Sequence, residues 1–141
     1  MLSQEVAATT PRTSTPCTPY TAERELETHL RQASLDHRHR DWLFGALLAG
    51  KVYVVDYEIG LGDRGPFVEL RTMKDSNGPV LAVYTSLARI PMHVDPRDAQ
   101  AMPFPYVLRA LSTDASITVR GPTSFRIGPS DLALLRRIAT E

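Results

Sequence analysis

The stretch from Asp75 to Leu87 restricts the fold more than any other part of the chain. Asn77-Gly78 is the commonest pair for the positive φ angles of a tight hairpin, so the chain is expected to turn back on itself there. Val80, Leu81, Ala82, Val83 and Tyr84 follow without a polar interruption. Such a run marks a strand buried on both faces in the middle of a sheet. Thr85 or Ser86 then offers a side-chain oxygen to the first amides of a short helix, which ends before Pro91.

The flanking elements follow from hydrophobic periodicity. Leu26, Leu30 and Ala33 recur at helical spacing and predict an amphipathic helix with Thr21 as its cap. Glu23 and Glu25 fall near the positive end of its dipole. Asp36 predicts the start of a second helix reaching about Leu48, with Leu43, Ala46 and Leu47 inward and Gly50 as its stop. Lys51 to Ile59 predicts one strand and Phe67 to Met73 another, from their β-branched and aromatic content. Ala101 to Phe104 reads as an edge strand, because Pro103 has no amide to give a ladder. Pro105 suits the first turn of a helix through Leu111. Ser116 to Arg120 and Ser124 to Ile127 are strands about the Gly121-Pro122 turn, and Gly128-Pro129-Ser130-Asp131 starts a last helix carrying Leu132, Leu134, Leu135 and Ile138. The order α-α-β-β-β-α-β-α-β-β-α predicts an α+β domain, a hairpin-rich mixed sheet flanked by helices.

Composition narrows the function classes. A chain of 141 residues is long enough for one self-sufficient core, and 43% apolar with 23% charged residues is ordinary for a globular domain. Residues 1–19 differ: Thr, Ser and Pro dominate from Thr9 to Pro19, and such a segment buries too little surface to offset its ordering entropy. A flexible tail is expected there, leaving 20–141 as a single domain. The sole cysteine, Cys17, lies in that tail, cannot form an internal disulfide and suggests a reducing compartment. The formal net charge is zero, so no overall field draws nucleic acid or anionic membrane. Arg38, Arg40 and the Arg136-Arg137 pair are matched by acidic residues, and nucleic acid is not an expected partner. No run approaches the roughly 18 apolar residues of a membrane span. The N-terminus lacks the basic start and apolar core of a secretory signal. Together these predict a cytoplasmic chain without membrane insertion.

The chemistry-bearing residue types do not assemble into a catalytic set. Gly60-Leu61-Gly62-Asp63-Arg64-Gly65 matches the dinucleotide fingerprint in spelling and follows a strand. That motif works by presenting a helix N-terminus to a pyrophosphate, and here Pro66 and a β-like run follow instead. A flexible hairpin loop with Asp63 and Arg64 in solvent is expected. His37, His39 and Asp41 lie two apart, which places neighbours on different faces of a helix, whereas helical metal sites use spacings of three or four. His29 belongs to another helix. A triad of Ser86, His93 and Asp95 can be drawn, but no nucleophile elbow surrounds the serine. The carboxylate pairs Asp56/Glu58 and Asp95/Asp98 are expected to face solvent. No catalytic, cofactor-binding or metal-ligating residue is assigned. Aromatic residues are the better lead: Trp42, Phe44, Phe104 and Tyr106 are expected to contribute an interaction surface, since aromatics are enriched at interface hot spots.

The segment Asn77-Gly78-Pro79-Val80-Leu81-Ala82-Val83-Tyr84-Thr85-Ser86-Leu87 resembles the core signature of the SseB N-terminal domain family, a strand ending in aromatic-Thr-Ser before a short helix. The leading helices ending at Leu47-Leu48, the Val52-Tyr53-Val54 strand, and Ile117-Thr118-Val119 followed by a Gly-Pro turn and a Leu-rich helix agree in order. The similarity covers roughly residues 23–138. Departures are Ala88, where the family often has a glutamate that completes a capping box, and Arg120-Gly121-Pro122, where it tends to have Asn-Pro. The Gly-rich loop at 60–65 is also longer than is usual there. The resemblance implies a bacterial α+β scaffold, in some members associated with secretion machinery, and brings no catalytic residues. The expected function is a non-catalytic protein-interaction or adaptor module, accessory to a bacterial secretion system, with an unidentified protein partner or self-association and no cofactor. The alternative is a small hydrolase with a His/carboxylate cleft.

Overall fold

The computed structural model describes residues 19–76 and 78–140, with side chains from residue 22 onward. The Thr/Ser/Pro-rich segment, with Cys17, lies outside the described residues apart from Pro19, which opens the first helix. Among the described residues four α-helices and eight strands make an α+β fold, as the sequence predicts. Helix α1 spans Pro19–Leu35 and α2 spans Arg40–Ala49, joined through a 3₁₀ turn at His37–His39. Strands β1 (Lys51–Val54), β2 (Tyr57–Gly62), β3 (Gly65–Leu70), β4 (Met73–Asp75) and β5 (Gly78–Tyr84) follow. After two further 3₁₀ turns come β6 (Gln100–Pro103), α3 (Phe104–Ala110), β7 (Ser116–Arg120), β8 (Ser124–Ile127) and α4 (Pro129–Thr140).

The main sheet runs β6-β1-β5-β7-β8, and β4 also pairs with β5. Strand β5 is central, as its apolar run predicts. It lies parallel to β7 in the register Leu81↔Ile117 and Val83↔Val119. On its other edge it takes two antiparallel partners in succession, β4 through Met73↔Val80 and β1 through Tyr53↔Tyr84. Between those two partners the chain leaves the sheet as a separate antiparallel hairpin, β2–β3. The amide of Arg71 donates to the carbonyl of Asp56 (2.8 Å) and closes the base of this excursion.

The hairpin corrects two expected strands. Lys51 to Ile59 divides at Val55-Asp56, and Phe67 to Met73 divides after Leu70. A change of phase underlies the first break. Inward apolar positions in β1 are Val52 and Val54, both fully buried, whereas the apolar positions of β2 are Tyr57, Ile59 and Leu61. A strand cannot keep both sets on one face, because its side chains alternate with period two. The expected loop at Gly60–Gly65 is mostly strand, with only Asp63 and Arg64 as the turn and Gly65 at φ 104°. Phe67 covers Gly60 from the opposite strand, where a Cβ would lie 2.5 Å from its ring.

Leu81, Val83, Ile117, Val119, Phe125 and Ile127 line up across β5, β7 and β8 and are buried beneath the helices. Burying each large apolar side chain contributes roughly 1.5–3 kcal/mol. Leu26, Leu30 and Ala33 of α1, Leu43, Phe44 and Leu47 of α2, Phe104, Val107 and Leu108 of α3, and Leu132 and Leu135 of α4 complete this core. The other face of β5 is only half covered, at Val80 and Ala82, so burial on both faces holds in part. Half of the stripe expected on α4 also faces outward: Leu134 and Ile138 are exposed.

Helix ends depart from expectation in informative ways. Thr21 lies inside α1, two residues past its first residue. Asp36 does act as a cap, but of the 3₁₀ turn, accepting from the Arg38 amide at 3.0 Å. Gly50 follows α2 with φ −120°, in extended backbone. Beyond Ser86 there is only a 3₁₀ turn, Leu87–Arg89, since Pro91 leaves no room for a longer helix. Arg136 reaches from α4 to the carbonyls of Leu108 (2.8 Å), Leu111 (3.2 Å) and Ser112 (3.3 Å), at and just past the end of α3 where helix carbonyls need donors from outside the helix.

A second close approach is at Gly121, just past β7. A Cβ there would lie 2.7 Å from Leu30 Cδ2 and 2.9 Å from Thr85 Oγ1, both on fully buried side chains. Gly121→Ala is therefore expected to lower stability by about 1–3 kcal/mol, measured by urea denaturation, as an overpacked site does.

Candidate functional site

The candidate site is a cleft between α1 and α2, and its shape follows from residue size. Where the two helices pass each other, α2 presents Gly45, Ala46 and Ala49, too short to reach α1. The space left has a volume of about 480 Å³. Leu26 forms its base; Glu25 and His29 line it from α1, Asp41 and Trp42 from α2. Trp42 stands 65% exposed, an unusual position for the largest apolar side chain.

The Trp42 indole is held in place by two imidazoles. Its centroid lies 6.4 Å from that of His29 and 6.2 Å from that of His39, with interplanar angles of 12° and 25°. His29 Nδ1 and His39 Nε2 are 3.2 Å apart, a hydrogen bond in which one ring donates and the other accepts. The ring centroids are 5.4 Å apart, so the two nitrogens are the facing edges and point at one another. The pair uses the lone pair of the accepting nitrogen and the N–H of the donating one. Among the described residues no group of three or more His, Cys, Asp or Glu side chains is placed to hold a metal ion. Sequence spacing could not reveal this arrangement, because His29 and His39 come together only when the turn at His37–His39 folds α2 back along α1.

Of the four aromatic residues expected on one surface, the structure leaves Trp42 exposed and takes the others elsewhere. Phe44 is 6% exposed and meets Phe125 edge-on at 6.5 Å, and Phe104 is fully buried. Tyr106 is half-buried against the core. Phe44 and Phe104 are thus corrected to core residues: Trp42 and Phe44 are two apart on a helix, and a helix sends such neighbours to different faces. His37 is exposed and stacks on Phe125 at 5.8 Å.

The triad does not assemble, because its members are engaged by other groups. Asp95 caps a 3₁₀ turn and pairs with Arg97 at 2.9 Å, while His93 is exposed in its loop. The Arg97 guanidinium, with the Arg97 amide, holds the Asp95 carboxyl below the usual aspartate range. Glu58 pairs with Arg71 on the hairpin. Arg38 pairs with Asp36 at 3.1 Å, so the basic residues near Trp42 include one already neutralised.

Ser86 belongs to a different cluster, and its hydroxyl caps nothing. Glu27 of α1 accepts from Thr85 Oγ1 (2.6 Å), Ser86 Oγ (3.5 Å) and the Arg89 guanidinium (3.0 and 3.1 Å). Thr85 is fully buried, so this carboxylate satisfies a hydroxyl with no access to water. The Arg89 hydrogen bond holds the Glu27 carboxyl below its ordinary value, partly opposed by burial and reinforced by Thr85. Tyr53 donates to Glu23 one turn earlier, at 2.9 Å. The cluster is a clasp between α1 and the end of the sheet.

Two outcomes follow. Glu27 has a lowered carboxyl pKa in the fold, so its stabilisation is complete above the ordinary glutamate range and is lost as pH falls through the lowered value. Glu27→Gln is expected to cost about 1–3 kcal/mol at neutral pH, less in acid, in urea titrations of both proteins across that range. Gly45 sits mid-helix with nothing within 4 Å of a Cβ. Gly45→Ala is expected to raise stability by about 1 kcal/mol, seen as a higher Tm. Compared with known proteins, the chain matches no family model, no curated protein and no solved structure.

Proposed function

We propose that this chain is a non-catalytic protein-interaction module that holds a partner at the cleft between α1 and α2. The observation that carries the reading is Trp42, 65% exposed on the wall of an open 480 Å³ space and held there by two histidines. A large exposed aromatic stacked on neighbouring rings beside a cleft is the form that interface anchor sites take. The absence of an assembled triad, with Asp95 committed to Arg97 and Ser86 to Glu27, weighs against the hydrolase alternative. The resemblance of residues 77–87 to the SseB N-terminal family supports the same reading. It extends it to an accessory of a bacterial secretion system acting in the cytoplasm. Among the described residues no helix is long and apolar enough to cross a membrane.

A pull-down from native lysate tests this, with the unaltered protein and Trp42→Ala side by side. The expected result is a stoichiometric partner, or a second copy of the chain, retained by the former and lost by the latter. Equal recovery by both proteins, or recovery of nothing together with a monomeric mass, would sink the proposal.

A further inference from the structure

We infer that the α1–α2 cleft receives a basic side chain, arginine or lysine, presented by a segment of the partner protein. This rests on the interaction-module reading and names the chemistry of the occupant. Three features of the cleft converge on it. The wall of Gly45, Ala46 and Ala49 over Leu26 is apolar, suited to the aliphatic stem that both basic side chains carry. Trp42 offers its indole to a cation, the aromatic ring that attracts one most strongly. Glu25 and Asp41 bring carboxylates from the two opposing helices, both exposed at the rim.

Charge on the other lining residues agrees. Glu23 adds a third carboxylate, which accepts from the Tyr53 hydroxyl at the end of the cleft where Lys51, the one lysine or arginine among the described lining residues, also stands. The described lining thus carries three carboxylates against one lysine, although the chain as a whole has no net charge. Gly45 adds an independent reason to see the space as a receptor. In a helix interior glycine costs stability relative to alanine, and here no neighbour comes within 4 Å of where a Cβ would be. Packing does not require the glycine; its effect is to leave the cleft open.

The sole tryptophan makes the site its own reporter. The probe is a capped pentapeptide with a central arginine flanked by glycines, titrated into the full chain while Trp42 fluorescence is followed. Controls carry glutamine or glutamate at the centre. A saturable change with the arginine peptide, weakened by salt and absent with both controls, is expected. Glu25→Gln should weaken binding about two- to fivefold, as loss of an exposed ion pair does. Gly45→Leu, which fills the cleft without removing the reporter, should abolish it. No saturable change, or the same change with the glutamine peptide, overturns the inference. If Gly45→Leu also abolishes capture of the lysate partner while the arginine peptide fails to bind, the interaction reading stands and the basic occupant is wrong. If Gly45→Leu leaves that capture intact, the cleft is not the docking site and both fail.

Discussion

The carboxylate of Glu27 is the interaction on which the arrangement of this domain depends. It stands on α1 and gathers Thr85, Ser86 and Arg89, three groups from the chain that has just left the central strand. Thr85 is inaccessible to water, and a buried hydroxyl without an acceptor costs about 1–3 kcal/mol. The bond therefore gives α1 one favourable position over the end of β5. Gly121 allows that position from below. A side chain there would press on Leu30 and Thr85, so glycine lets the chain leaving β7 come this close to α1 without displacing them.

Once α1 is placed, the position of α2 follows, and with it the cleft. Leu26 and Leu30 on α1 and Leu43 and Leu47 on α2 bring the two helices together through one stripe of each. Beside that stripe α2 carries only Gly45, Ala46 and Ala49, so the contact ends and a space begins. The 3₁₀ turn capped by Asp36 sets the angle at which α2 returns, and this brings His39 to His29. The indole of Trp42 then lies against two rings whose own hydrogen bond limits their movement. The clasp and the cleft thus share one helix: α1 turns Glu27 toward the sheet, and Glu25 and His29 toward α2.

Much of the fold was legible in the residues, and the reasons differ by element. Strand β5 is recognisable because five apolar residues follow an Asn-Gly turn, and its central place in the sheet is the consequence. The helices are recognisable from spacing, with boundaries displaced by a few residues where caps behaved differently. The hairpin β2–β3 was harder to see, because its apolar residues continue those of β1 with only a change of phase at Val55-Asp56 to mark the exit. The site was mostly hidden. Trp42 stood out as an aromatic residue near the start of α2, but Phe44 and Phe104 looked equally suitable and proved to be core. Composition counts aromatics; it does not say which face of a helix has a neighbour.

By itself the sequence determined what is local: the positive φ at Gly78, helical spacing at Leu26, Leu30 and Ala33, the alternation that places Leu81 and Val83 inward, and a charge balance without an overall field. Backbone geometry and side-chain period act over a few residues, so these features can be read in line. Only the tertiary structure decided that Thr85 and Ser86 serve Glu27 across 58 and 59 residues, that His29 meets His39, and that a row of small residues on α2 becomes an open cleft beneath an exposed tryptophan. Those outcomes depend on which helix face another element happens to cover. That is settled by packing the whole core at once.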